Sequence, residues 1–409
     1  MARSALAQPR LALEPEPARP IDGVGRIRSI DILRGIVIVL MALDHVRDYF
    51  HAAAWTMNPL DVEQTSVWLY ATRWITHFCA PVFVFLAGVS AFLYGARTDG
   101  RGQLSRFLLT RGLWLIVLEF TLINLAWNFA WPGLALIVIW AIGASMVILA
   151  ALVWLPRTAV LAVGVLILVG HNLLDPLTAQ TFGDWGWIWT VLHDPGPIIS
   201  DTGQFIAFVA YPLLPWVGVM AVGYGLGAVF LAPEEERAKF LTWLGLGMIA
   251  AFLLLRATNL YGDANTWTGQ SDGLRTLGDY LDTTKYPPSL LYVLMTLGPA
   301  LAIMPWLERL RGPISEVFAV FGRVPFFIYV GHILLAHILM VVVGMAMGHP
   351  FSLFQNVMAD PSGLIAAGWG FNLFWVYVAW IAVLVMLYPA ARWFGSLKAR
   401  RKDWWLSYL

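Results

Sequence analysis

Two histidines, two aspartates and an arginine fall within eight residues: Asp44, His45, Arg47, Asp48 and His51 in MALDHVRDYFHAAAW, directly after the apolar run GIVIVLMAL. Imidazole beside carboxylate is a pairing used in general acid–base and nucleophilic catalysis. The ring takes a proton or carries a group, and the carboxylate orients it and steadies its charged form. On a helix, Asp44, Asp48 and His51 lie within about 60° of one another, with Arg47 about 60° from Asp44, so they form one polar stripe. His45 points about 100° away from Asp44, toward a different neighbour. An ionisable group inside a bilayer costs a few kcal/mol, so these side chains should face the bundle interior or a wet cavity. His51 and Asp44 read as a functional pair. Arg47 and Asp48 read first as ion-pairing residues of the same stripe, with Arg47 also placed to touch a substrate.

Two further segments carry candidates. WLYATRWITHFCAPVFVFLAGVSAF holds Arg73 and His77 at i, i+4, and a short loop ties it to the first helix, so His77 is within reach of the stripe as a substrate-side group. A lone buried histidine is as often a plain hydrogen-bonder. VPFFIYVGHILLAHILMVVVG places Tyr329 and His332 on one helix face at i, i+3, with His337 about 140° around from His332. Arg323 stands at the cytosolic mouth of that helix, and Arg34 at the mouth of the first, where Asp31 could pair with it locally. Arg34 and His51 are 17 residues apart, about 25 Å along a helix. These positions describe a channel. A ligand with an anionic head and a long flexible arm could anchor its phosphates on the arginines and carry a reactive end to the outer histidine. Coenzyme A has that shape.

The elements that must hold these residues are membrane helices. The chain has 409 residues, 59% hydrophobic and 12% charged, with a mean hydropathy of +0.70, far more apolar than an ordinary soluble domain. The 21 tryptophans suit aromatic belts at both interfaces. Runs near the roughly 20 residues a spanning helix needs occur at 29–51, 67–95, 104–126, 132–155, 158–174, 204–231, 237–257, 287–307, 324–347 and 364–394. An all-α polytopic membrane protein of about ten helices follows.

Alternate connections are rich in Lys and Arg, from Arg28 through Arg97, Arg101 and Arg157 to Lys398, Arg400 and Arg401, whereas 52–66, 127–131, 172–203 and 348–363 have none. By the positive-inside rule both termini are cytosolic. The loop 258–286 breaks the pattern with Arg275 and Lys285, but also carries four aspartates: Asp263, Asp272, Asp279 and Asp282. Residues 1–25 read as a disordered cytosolic tail without a signal peptide, 26–397 as the membrane domain and 398–409 as a basic cytosolic tail. The first hydrophobic helix would then serve as an uncleaved insertion signal. The charges are too few and dispersed for nucleic-acid binding. A single cysteine, Cys79, excludes an internal disulfide and a CxxC metal site, and no metal is expected. The outer segments 171–201 and 258–286, rich in Trp, Asp, Asn, Gly and Thr, suit recognition of a sugar-like molecule or simple capping of the bundle.

RIRSIDILRGIVIVLMALDHVRDYFH, with THFCAPVFVFLAGVSAF, YPLLPWVGVMAVGYGLG, KYPPSLLYVLMTLGPA and FGRVPFFIYVGHILLAH, resembles bacterial proteins related to heparan-alpha-glucosaminide N-acetyltransferase. The resemblance covers nearly the whole chain from Arg26, and the opening block is its most specific part. It implies a multi-pass transmembrane acetyltransferase of the bacterial inner membrane. Such an enzyme moves an acetyl group from cytosolic acetyl-CoA to an amino sugar, such as glucosamine, or another glycan acceptor on the periplasmic side. N-acetylation is expected ahead of O-acetylation.

By resemblance the active histidine is His51 in YFHAAAW, as base or acetyl carrier, with Asp44 as its partner. The lysosomal relative has Asn where Asp44 stands, and its interval to the histidine is longer, so His45 stays open as the essential residue. Arg34 and Arg323 are the leading CoA-phosphate ligands, with Tyr329 and His332 further along the cofactor path. Tyr329 or His77 would supply the oxyanion donor. Partners are acetyl-CoA, the glycan acceptor and membrane lipid, and a homodimer is compatible. The competing reading is a proton-coupled transporter or flippase for a sugar-like or lipid-linked substrate, using the buried Asp and His residues as a relay.

Overall fold

The computed structural model describes residues 27–131, 133–401 and 403; the N-terminal tail expected at 1–25, and most of the C-terminal tail, lie outside the described residues. The chain builds a bundle of α1 (Arg28–Phe50), α2 (Val67–Gly95), α3 (Arg101–Asn128), α4 (Val138–Leu152), α5 (Arg157–Leu174), α6 (Leu213–Leu231), α7 (Glu234–Thr258), α8 (Leu290–Arg309), α9 (Pro313–Arg323), α10 (Pro325–Ala346) and α11 (Leu373–Arg400). Among the described residues, eight helices are long and apolar enough to cross a membrane. Two more occupy expected spans but miss that standard. One is α4, which is short at 15 residues. The other is α1, which is long enough but carries Asp31, Arg34, Asp44, Arg47 and Asp48.

The position of α1 explains how it tolerates those charges. It packs against α2, α8, α9, α10 and α11 and is screened from lipid by them. Glycines set its closest crossing. A Cβ on Gly35 would lie 1.8 Å from the Phe318 carbonyl oxygen, and one on Gly322 would lie 1.8 Å from that of Asp31. Two backbones meet there as only glycine permits, a small-residue contact typical of membrane interiors. The short helix α9, which carries Phe318 and Gly322, occupies what reads in the sequence as a plain connection. It ends at Arg323, and Pro325 opens α10.

Part of two expected spans is not helical. Three short strands, β1 (Leu134–Leu136), β2 (Gly196–Ile199) and β3 (Phe205–Val209), form a sheet in the order β1-β3-β2. β1 runs parallel to β3, and β2 antiparallel to it. Gly133, at φ 133°, turns the chain into β1, so α4 starts later than the apolar run does. The run into α6 likewise begins as a strand and becomes helical only after Pro212. Inside α3, Glu119–Ile123 makes a π-helical turn, a wound-out segment of the kind often found at functional sites.

One buried arginine organises the long 258–286 loop. Arg256, 1% exposed at the end of α7, donates to the carbonyls of Tyr280 (2.9 Å), Asp279 (3.0 Å), Asp282 (2.5 Å) and Asn265. A guanidinium has five fixed donors and suits this clamp. The fastening brings the following residues, Lys285 and Tyr286, over the bundle.

Candidate active site

A cavity of about 1040 Å³ runs through the bundle beside α1. Arg34 of α1, Arg111 of α3, Arg323 and Lys398 line one part of it, and Asp44, His45 and Asp48 of α1, with Lys285 and Tyr286, line another. Along α1, Arg34 and His45 are 11 residues apart, about 16 Å. Five cations, counting Lys285, thus stand in the walls of a passage that also reaches an imidazole.

At that imidazole, α1 meets α10. His45 Nδ1 lies 2.7 Å from His332 Nε2, and His332 Nδ1 lies 2.8 Å from the Ile328 carbonyl oxygen. The carbonyl can only accept, so His332 carries its proton on Nδ1 and, as a neutral ring, accepts at Nε2. His45 must then donate from Nδ1. Its Nε2 is left with an unprotonated lone pair, the form a general base or nucleophile requires. His332 is fully buried, and helix geometry supplies its lock, since Ile328 is the i−4 residue whose carbonyl its ring reaches.

Two aromatic donors stand beside the pair. The Trp127 ring is 4.6 Å from His45, edge to face, and Tyr329 is 6.3 Å away. Both line the cavity. The Trp127 Nε1–H and the Tyr329 hydroxyl lie against each other, and neither finds any further hydrogen-bond partner in the protein. A buried donor left unmade costs about 1–3 kcal/mol unless something binds it.

The rest of the α1 stripe is an ion-pair network. Arg73 Nη1 donates to Asp44 Oδ2 at 2.6 Å, and Arg47 Nη2 reaches Asp44 Oδ1 at 3.1 Å and Asp48 Oδ1 at 2.6 Å. Two guanidiniums balance two carboxylates out of bulk water. Removing one member of such a buried set costs about 3–5 kcal/mol. Asp44 and Asp48 line the cavity from within this network, and the partners of Asp44 are arginines, not a histidine.

His51 sits elsewhere. It caps the C-terminus of α1, where its Nδ1 accepts from the Ala53 amide at 3.2 Å and its backbone bridges to Phe371. It is half-buried and is not among the residues lining the cavity. His77, on the tight turn inside α2, is buried edge-on to Tyr292 and also lies outside the cavity wall. Arg34 donates to Ser90 Oγ at 3.0 Å, and Arg323 pairs with Glu316 at 2.7 Å. The structure therefore brings His45, His332 and Tyr329 together, sets Arg34 and Arg323 along the same passage, and keeps His51 and His77 apart from it.

Sequence reasoning did not single out Trp127, Arg111 or Lys285 as site residues. Nothing in NLAWN separates Trp127 from the other tryptophans. Arg111, an arginine within an apolar helix, did carry a readable signal.

The catalytic family model of heparan-alpha-glucosaminide N-acetyltransferase matches residues 26–260, more than half the chain. The protein belongs to that family. It is a multi-pass transmembrane acetyltransferase. Comparison with curated proteins gave no match. The family match spans α1 to α7 and so includes His45, His51 and Trp127; His332, Tyr329 and Arg323 lie beyond it and are placed by geometry alone.

Proposed function

We propose that the protein transfers an acetyl group from acetyl-CoA to the amine of an amino sugar, with His45 as general base. The observation that carries this reading is the hydrogen-bond chain from His45 through His332 to the Ile328 carbonyl, which leaves His45 Nε2 bare at a cavity whose walls also carry Arg34, Arg111, Arg323 and Lys398. The phosphates of acetyl-CoA would bind among Arg34, Arg111, Arg323 and Lys398, and the pantetheine arm would lay the thioester beside His45. The Lys and Arg distribution of the loops supports a cytosolic cationic end and an acceptor on the periplasmic side of a bacterial inner membrane.

In the transfer step the acceptor nitrogen attacks the thioester carbonyl carbon while His45 Nε2 takes the nitrogen's proton. The oxygen that gains charge receives hydrogen bonds from Trp127 Nε1–H and the Tyr329 hydroxyl, a preorganised pair of donors of the kind worth most in a dry site. As the C–S bond breaks, the imidazolium returns its proton to the departing CoA sulfur. Through this cycle His332 Nε2 accepts from His45 Nδ1–H, holding the tautomer and the ring angle. The Asp44–Arg47–Asp48–Arg73 network fixes the outer turn of α1, and Lys285 and Tyr286 face the acceptor. Acetylation is at nitrogen in this reading, since a neutral amine is a stronger nucleophile toward a thioester than a hydroxyl and asks less of a single base.

Purified protein in detergent, incubated with acetyl-labelled acetyl-CoA and glucosamine or a glucosamine-terminated glycan, should form N-acetylated sugar and free CoA in equal amounts. Absence of acetyl-CoA-dependent product across amino-sugar acceptors with folded protein contradicts the reading.

A further inference from the structure

A second histidine cluster lies away from the cavity, between the end of α5 and the start of β2. His171 ends the α5 span with a 3-10 turn, Asp175 follows one turn later, and His193 caps a short helix, Gly186–Leu192. Both histidines are 2% exposed. His171 Nδ1 lies 3.3 Å from His193 Nε2, which lies 3.5 Å from Asp175 Oδ1. One ligand atom from each residue falls within 4.8 Å of the others.

These contacts exceed what one proton can satisfy. His193 Nε2 faces the His171 ring nitrogen, the His171 carbonyl oxygen at 3.1 Å and the Asp175 carboxylate. A ring nitrogen holds one hydrogen at most, so three electron-pair donors converge on a point where a single N–H can serve one. A cation resolves the conflict. Two ligands about 2.05 Å from a tetrahedral zinc ion stand about 3.3 Å apart, the spacing the His171 and His193 nitrogens already hold.

The surroundings favour a cation as well. Residues 172–203 contain no Lys or Arg. Asn172 Nδ2 donates to Asp175 Oδ2 at 2.9 Å, which orients the carboxylate with Oδ1 turned to the histidines, the outer support that metal ligands ordinarily have. The Trp189 ring stacks on His193.

We propose that His171, Asp175 and His193 bind one zinc ion, with water in the fourth position, and that the ion fastens the outer segment to the bundle. The sequence carries no expectation of a metal, because the ligands are spread over 23 residues without a familiar spacing. The effect on the cavity is indirect. β2 begins three residues after His193 and pairs with β3, whose Phe205 and Phe208 line the cavity wall. The proposal does not rest on the acetyltransferase mechanism.

The test is metal content, independent of acetyl transfer. Protein stripped with EDTA, incubated with zinc chloride and desalted should retain about one zinc per chain and unfold at a higher temperature than the stripped form. His193→Ala and Asp175→Asn should retain at least tenfold less, and His349→Ala, a histidine outside the cluster, should retain as much as wild type. Cobalt(II) on the wild-type chain gives a second readout that needs no variant: a tetrahedral site shows intense visible bands that zinc then abolishes. Wild-type protein that retains no zinc and shows no such bands, or His193→Ala retaining as much as wild type, overturns the proposal.

Discussion

His45 and His51 are six residues apart on the same stretch of chain and do different things. Six residues turn a helix by about 600°, so the two rings point about 120° apart and are separated by about 9 Å of rise. His45 is directed at α10 and the cavity, and its neighbour His332 fixes its tautomer. His51 has left the helix; its ring accepts a backbone amide and closes the last turn. The more recognisable local context belongs to His51, whereas the chemistry depends on what stands opposite. A residue's role in this bundle is decided by the helix it faces.

The comparison is broken most sharply by exchanging the two histidines one at a time. His45→Ala should lower the acetyl-transfer rate by about 10² to 10⁴, the range a general base supplies, while His51→Ala should stay within about threefold, read as kcat at saturating acetyl-CoA. Equal losses would erase the distinction. Next come the aromatic donors: Tyr329→Phe and Trp127→Phe should each lower kcat by about 10²-fold, as loss of one oxyanion donor does elsewhere, with KM for acetyl-CoA little changed. A KM effect without a kcat effect would make them binding residues.

His332→Asn should lower kcat by about 10- to 100-fold, the scale on which losing the hydrogen-bond partner of a metal-bound histidine is felt. His332→Gln, which can still accept at a similar reach, should recover part of that loss. The smallest effect belongs to the far end of the passage. Arg34→Gln should raise KM for acetyl-CoA by about tenfold with kcat near wild type, the pattern of lost uniform binding, and dephospho-CoA thioesters checked on both proteins would show whether Arg34 meets the 3′-phosphate.

Much of the fold was legible because bilayer physics leaves a strong mark on composition. Every expected span proved to contain a helix, and α1, with its charges, could be recognised as an interior helix because such groups have nowhere else to go. The sheet was not legible: β1 and β3 are apolar runs that look like helix starts, and their pairing joins residues about 70 apart. Nor was α9, whose docking depends on Gly35 and Gly322 meeting across nearly 290 residues. The site divides the same way. Asp44, His45, Tyr329 and His332 were visible as ionisable or polar groups in apolar helices. That His45 meets His332, and that Asp44 is held by Arg47 and Arg73, required knowing which helices touch.

The central claim is that an acetyl-CoA thioester entering between the cations arrives at His45. Bromoacetyl-CoA tests it directly, because its reactive carbon sits where the acetyl group would and alkylates a nucleophile within reach, releasing bromide. Cys79, the single cysteine, also lines the cavity, so the measurement is made on Cys79→Ala protein, with peptide mapping by mass spectrometry and excess CoA as competitor. An adduct on the His45 ring that CoA suppresses is the predicted result. An adduct on His51, or none on His45 in protein that binds CoA, would contradict it.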